Sequence, residues 1–388
     1  MDVAIVGIGM HPFGRHDGVS GAQMGAYAVR QAVRDAGVGW EQIQAAYGGS
    51  VAAALPGDQD NSNADAMVSL LGMTGLPFVN VQNGCATAGT AVSMAATGIM
   101  SGLSDLALAV GFDKHPRGMF NPTSTSIGLG AWYAETGFMV STQFFAMKIN
   151  RYMHEFGIGQ RTLAKVAAKA YRNGALNPNA WRRKPLDEDE ILASPTLNYP
   201  LTHYMFCSPD EGAAAVVLCR ADQAHRYTDR PVYLRAAALR TRRFGSFEVW
   251  TPWLPIDRTE SPSVDAARAA FEMAGIGPED VEVAQIQDSE AGSEVMHMAE
   301  TGLCADGEQD ALIMAGATEI GGRLPINTDG GLIANGEPVG ASGLRQIYET
   351  VLQLRGDAGE RQVPGHPRVG FTQVYGAPGV SACTILTC

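Results

Sequence analysis

The strongest constraint on this chain is a pattern that it carries twice. Ala32–Ala46, AVRDAGVGWEQIQAA, returns as Ala270–Ala284, AFEMAGIGPEDVEVA. The alanines at both ends match, as do Ala36 and Ala274, Gly37 and Gly39 with Gly275 and Gly277, and Glu41 with Glu279. In each copy a helical spacing ends at glycine, a short capping segment follows, and the chain enters an apolar strand. One supersecondary unit used twice predicts two similar α/β halves, Met1–Arg220 and Pro231–Cys388. The alternative is accident, because this connection recurs in unrelated α/β proteins.

Around the first copy, strand and helix patterns alternate: VAIVGIG, then GAQMGAYAVRQAVRDAG, AAYGG, PFVNVQN, a helix from Ala86 to about Ser101, and DLALAVGF. That alternation predicts an α/β fold with a mostly parallel buried sheet. Between the copies, residues 113–197 form a long excursion rich in Met, Phe, Trp and Tyr. It reads as a cover over the site, and its apolar content suits either an apolar substrate or packing onto the body.

Composition excludes several classes. Forty Asp and Glu against 28 Lys and Arg give a formal charge of -12, which disfavours nucleic acid and suits a soluble cytoplasmic enzyme. The six cysteines show no CxxC pairing, so neither a zinc site nor a disulfide framework is indicated. MDVAIVGIGM lacks the basic start of a signal peptide, and no apolar run approaches the ~20 residues of a membrane span. No metal-ligand or dinucleotide fingerprint is complete, so no cofactor is expected.

Chemistry is concentrated at Cys85, in VQNGCATAGT, where a strand gives way to a helix of small residues. A thiol at a helix N-terminus is favoured as thiolate, whereas a lone cysteine elsewhere is usually a packing residue. Other motifs bear on the choice. CSPDEGAAAVVL at Cys207–Leu218, AQIQDSEAGSEVMHMAETGLCADGE at Ala284–Glu308 and INTDGGLIANGEPVGASG at Ile326–Gly343 accompany the NGCATAG elbow in order along the whole chain.

Together these motifs resemble the thiolase superfamily, most closely its sterol-carrier-protein-type branch. The resemblance implies two pseudo-symmetric halves in a five-layered αβαβα body. It also implies that no carrier domain follows, since GVSACTILTC reads as the last buried strand. In such thiolases the elbow cysteine is the acyl-accepting nucleophile, a His-Asp-Cys-Phe segment supplies a proton-transfer cysteine and an oxyanion-binding histidine, and a Gly-His-Pro segment supplies the activating histidine. This chain keeps Cys85 and has Gln287, Asp288, Ser289 and Glu290 in place of the first segment and Gly336, Glu337 and Pro338 in place of the second. None of its eight histidines stands at a matching motif position.

Those replacements change the expected chemistry. A carboxylate at Glu337 raises the pKa of a nearby thiol, and Ser289 cannot act as a thiol base near neutral pH. A retro-aldol cleavage needs only a base for the β-hydroxyl, donors for the thioester enolate and an acid for carbon. Glu337 is the expected base and Tyr375, in QVYGAPG, the expected proton donor or orienter. N–H groups near Cys85 and Gly379 are the expected oxyanion donors, and Gln287 and Ser289 the remaining polar lining. Asp288, Gly340, Arg182, Arg183, Arg242 and Arg243 are candidates for holding substrate, the arginines at the phosphates of coenzyme A. Each has a plainer reading: a salt-bridged acid for Glu337, a core tyrosine for Tyr375 and solvated surface for the basic runs.

The resemblance extends to thiolase-like aldolases that shorten steroid side chains. It implies cleavage of a bulky 3-hydroxyacyl-CoA, with coenzyme A entering as part of the substrate. It further implies a homodimer and a small OB-fold, zinc-ribbon partner completing a heterotetramer. The alternatives are an acyltransferase using Cys85 and a non-catalytic acyl-CoA-binding subunit.

Overall fold

A computed structural model describes residues 1–54, 62–117, 131–136, 141–246 and 260–388. The strands are β1 (Val3–Gly14), β2 (Ala45–Gly49), β3 (Phe78–Asn80), β4 (Leu106–Lys114), β5 (Thr196–Asn198), β6 (Leu201–Thr202), β7 (Glu211–Arg220), β8 (Val232–Thr241), β9 (Val283–Ile286), β10 (Val369–Gly376) and β11 (Val380–Thr387). The helices are α1 (Gly21–Asp35), α2 (Val68–Leu71), α3 (Thr87–Met100), α4 (Trp132–Glu135), α5 (Ser141–Phe156), α6 (Gln160–Ala175), α7 (Glu188–Ala193), α8 (Pro262–Ala274), α9 (Ala291–Glu300), α10 (Gln309–Met314), α11 (Gly331–Asn335) and α12 (Ser342–Arg355).

Among the described residues nine strands form one sheet in the order β3-β2-β4-β7-β1-β8-β11-β10-β9, and β5 pairs only with β6. A parallel bridge from Ala284 to Ile326 extends the sheet beyond β9. Outward from β1 the run is β7, β4, β2, β3; outward from β8 it is β11, β10, β9 and the Ile326 bridge. Strand directions follow the same series in both runs. The repeated segment therefore supplies the equivalent pieces, α1 to β2 and α8 to β9.

The expected mostly parallel sheet is corrected. Only β2/β3, β2/β4 and β9/β10 are parallel, whereas β1/β7, β1/β8, β4/β7, β8/β11 and β10/β11 are antiparallel. Periodicity reveals crossover helices, but β10 and β11 are joined by a tight turn that only an antiparallel pair accepts, and β7 returns beside β4 after the long excursion.

Apolar clusters define the layers. Ala88, Ala91 and Ala95 of α3 and Leu344, Ile347 and Val351 of α12 lie in one core with Val3, Ala107 and Val216 from one run and Val232, Leu234 and Leu386 from the other. The small residues of α3 allow this close central packing. Helix α1 packs on the outer face of β1, β4 and β7, and α8 lies in the core that also holds Phe371 and Ile385. The order α1, first run, the α3–α12 pair, second run, α8 is the five-layered α/β body.

In the excursion, Phe144, Ile149, Leu163 and Tyr171 are buried, and the last three share a core cluster with Ile286, Val295 and Ile333. The Lys169 ammonium pairs with Glu294, both fully buried. In this described part the apolar content serves packing; residues 118–130 and 137–140 of the expected cover lie outside the described residues. Among the described residues no helix is long and apolar enough to cross a membrane.

Candidate active site

Glu337 is delivered by α11 and the turn after it. Asp288 accepts from the Leu332 and Ile333 N–H groups at 2.7 and 3.3 Å, tying the first turn of α11 to the segment that leaves β9. Gly336 ends the helix at φ +91°, and a Cβ there would overlap Asp210 Oδ2, so only glycine fits. Beyond it the Glu337 N–H donates to Ser208 O at 2.9 Å and the Val339 N–H to His115 Nε2 at 3.0 Å. The Gly340 N–H donates to Asp113. One face of this loop thus rests on 206–210 and the other on the end of β4.

The Glu337 side chain is buried among polar groups. Oε1 accepts from Gln287 Nε2 at 3.0 Å, and Oε2 from the Cys207 thiol at 3.2 Å and the Ser289 hydroxyl at 3.5 Å. Gln287 Nε2 also donates to Ser289 Oγ, while Gln287 Oε1 is buried with no hydrogen-bond partner among the described residues. The Cys85 thiol lies close enough to Glu337 for the carboxyl group to act on it. The fold therefore brings together Glu337, Cys85, Gln287 and Ser289.

The helix N-terminus does not decide the state of Cys85. Desolvation, followed by Glu337, pushes the thiol well above the ordinary range, against the opposing pull of the Cys85 and Ala377 N–H groups. In a dry site, desolvation and a neighbouring carboxyl group outweigh the partial charges at a helix start. Cys207 is pushed up by the same two causes, desolvation first and Glu337 second. Burial and Glu337 thus favour the thiol over the thiolate at both cysteines, which opposes their use as nucleophiles.

Ala377 presents its N–H to Cys85, whereas the Gly379 carbonyl accepts from Arg242 N–H at 3.0 Å. The two N–H groups that act on the elbow thiol are those of Cys85 and Ala377. Tyr375 lies at the root of the same turn. Its hydroxyl donates to Pro378 O at 3.1 Å, its ring is 6.0 Å from His297, and Lys148 Nζ lies 5.5 Å from the ring centroid.

The remaining candidate residues lie in different settings. Asp288 and Gly340 are buried structural joints, with Asp288 held at raised pKa by desolvation against the pull of Arg345. Arg182 is turned inward to Ser208 Oγ, Ile333 O and Phe206 O, bracing the segments on both sides of Glu337. Arg243 pairs bidentately with Asp265 at 2.6 and 2.7 Å. Arg183 and Arg242 are exposed. Basic spacing alone does not distinguish such internal clamps from phosphate ligands.

Sequence reasoning missed Cys207, His115, Asp113 and Asp210. Cys207 and Asp210 lie in the quoted CSPDEG motif, and that motif was the available signal; His115 follows β4 without a recognisable pattern. Both carboxyl oxygens of Asp210 are buried without hydrogen-bond partners among the described residues, and desolvation pushes this acid well above its ordinary pKa.

The fold and this site meet in one class. Residues 3–191 match the family model described as Thiolase, N-terminal domain, and residues 256–387 match Thiolase C-terminal domain-like. The chain belongs to the thiolase superfamily. It is 33% identical to an acetyl-CoA acetyltransferase of Methanothermobacter thermautotrophicus, covering 98% of both chains. It is also 31% identical to sterol carrier protein 2 of Oryctolagus cuniculus, over 99% of this chain and 71% of that protein. The solved structure described as the Ltp2-ChsH2(DUF35) aldolase superposes with a TM-score of 0.86 at 25% identity, over 100% of this chain and 98% of the other. These likenesses place the chain on the sterol-carrier-protein-type branch, similar both to acyltransferases and to an aldolase.

Proposed function

We propose that this protein is a retro-aldolase that cleaves a 3-hydroxyacyl-CoA with a bulky apolar acyl part, a steroid side chain, into a shorter acyl-CoA and an aldehyde or ketone. The observation that carries this reading is a buried Glu337 carboxylate ringed by donors, beside two thiols whose pKa burial raises. Glu337 accepts the β-hydroxyl proton. The Cα–Cβ bond then breaks, its electron pair moving to Cα as the carbonyl product leaves. The Cys85 and Ala377 N–H groups hold the thioester enolate oxygen, and the proton returns from Glu337 to Cα, which restores the carboxylate. Gln287 Oε1 supplies an acceptor that can orient the substrate hydroxyl, and Tyr375 orients the turn that carries Ala377.

The same proposal includes a cytoplasmic protein with no cofactor beyond the coenzyme A of its substrate and with halves at 1–220 and 231–388. A homodimer is supported by β3, which ends the sheet with Val79, Leu70 and Met73 exposed nearby. An OB-fold, zinc-ribbon partner is supported by likeness to a structure whose description names ChsH2(DUF35).

Product analysis by mass spectrometry, with a panel of 3-hydroxyacyl-CoAs and with or without a candidate OB-fold partner, tests the reading. A carbonyl product is expected, and its absence under both conditions removes the aldolase. Glu337→Gln should lower kcat by ~10²–10⁴-fold with little change in KM, and Cys85→Ala should cost much less. The reverse ranking, with acylated Cys85 after incubation with acetyl-CoA, would establish acyl transfer instead.

A further inference from the structure

Cys207 has no role in the reaction as written, yet it is fixed against the base more firmly than any pocket lining requires. Its N–H donates to Ser289 O at 2.9 Å, and the next residue, Ser208, accepts the Glu337 N–H at 2.9 Å. Isolated bridges join Phe206 to Glu290 and Pro209 to Glu337. Arg182 braces Phe206 O, Ser208 Oγ and Ile333 O at once. Backbone pairing on both sides therefore aims one thiol at one carboxylate oxygen.

We infer that Cys207 is a positioning residue that sets the basicity of Glu337, an inference that rests on Glu337 being the base. The carboxylate is stabilised by each donor it accepts from, and every such donor makes it a weaker base. A thiol is a weaker donor than a hydroxyl. At Cys207 it directs the Oε2 lone pair while withdrawing less basicity than a hydroxyl donor would. Raised pKa keeps that thiol from releasing its own proton. A cysteine at this position thus balances orientation against basicity, which neither serine nor alanine does.

Two variants should move the enzyme in opposite directions. Cys207→Ala removes a donor, so the acidic limb of the kcat/KM–pH profile should rise by roughly one pH unit, about the size of one charge-assisted hydrogen bond. Cys207→Ser supplies a stronger donor, so the limb should fall and kcat with it. A residue that only fills space would shift neither limb, or both the same way, and either result overturns the inference. Infrared titration of the Glu337 carboxylate band, assigned by difference against Glu337→Gln, reads the same two shifts without turnover. Absent turnover with the infrared shifts intact would therefore sink the aldolase while leaving the Cys207–Glu337 coupling standing; absent infrared shifts would sink the coupling itself.

Discussion

The two copies of the repeated unit leave their strands in different ways. β2 ends on Gly48 and Gly49 and continues into Ser50, whereas after β9 the chain runs Gln287, Asp288, Ser289. In the first exit, Gly49 packs so near Val81 that a Cβ would overlap its carbonyl, and the Ser50 hydroxyl donates to Asp113 at 2.7 Å. In the second, Gln287 and Ser289 turn to Glu337. Asp113 also receives Gly340, so the first exit steadies the loop whose carboxylate the second exit surrounds. A duplicated backbone can therefore divide support from chemistry by side-chain choice alone.

The largest expected effect crosses between the two regions. If Glu337 suppresses the elbow thiol, Glu337→Gln should raise the rate of Cys85 alkylation by iodoacetamide at pH 8 by ~10-fold or more, because the neutral amide no longer opposes thiolate. Peptide mass spectrometry measures it, and an unchanged rate would uncouple the elbow from the second copy.

Next come paired variants with opposite readouts. Gly49→Ala should lower unfolding free energy by ~1–3 kcal/mol through overpacking while turnover of the folded protein is retained. Gln287→Leu removes a buried unpaired oxygen but also the Nε2 donor to Glu337 Oε1, two changes that oppose each other in stability, so its main effect should be a lower kcat. Denaturant titration and steady-state kinetics on both variants would break the comparison if the two profiles were exchanged. Ser50→Ala should cost ~1–3 kcal/mol of stability by leaving a buried acceptor short of a donor, and Ser289→Ala, at a 3.5 Å contact, only a small loss of kcat.

The last effect concerns Glu290, which caps α9 and whose pKa desolvation raises to about 7. The unfolded carboxyl titrates near 4.5, so the folded state holds the proton more tightly. The associated stability is present below about 4.5 and is lost as pH rises through about 7. Glu290→Gln should therefore gain thermal stability relative to the parent across that window, and parallel melting curves from pH 4 to 8 would refute the assignment.

Much of this was legible before any coordinates. The repeat located α1 and α8 and the strands that follow them, and the glycine-flanked Glu337 and the Gln287–Glu290 segment were recognised because the motif residues stand in order. Local periodicity could not reveal that β7 and β11 run antiparallel to their neighbours, nor that Arg182 points inward, because those facts depend on partners far along the chain. The sequence by itself determined the family, the duplicated architecture and the loss of the thiolase histidines, since order, spacing and residue type are one-dimensional properties. Only the tertiary structure decided that Cys207 meets Glu337, that the Ala377 N–H faces Cys85, and that burial pushes both thiols up. A thiol's proton depends on the solvent it loses and the charge it meets, and both are set by folding.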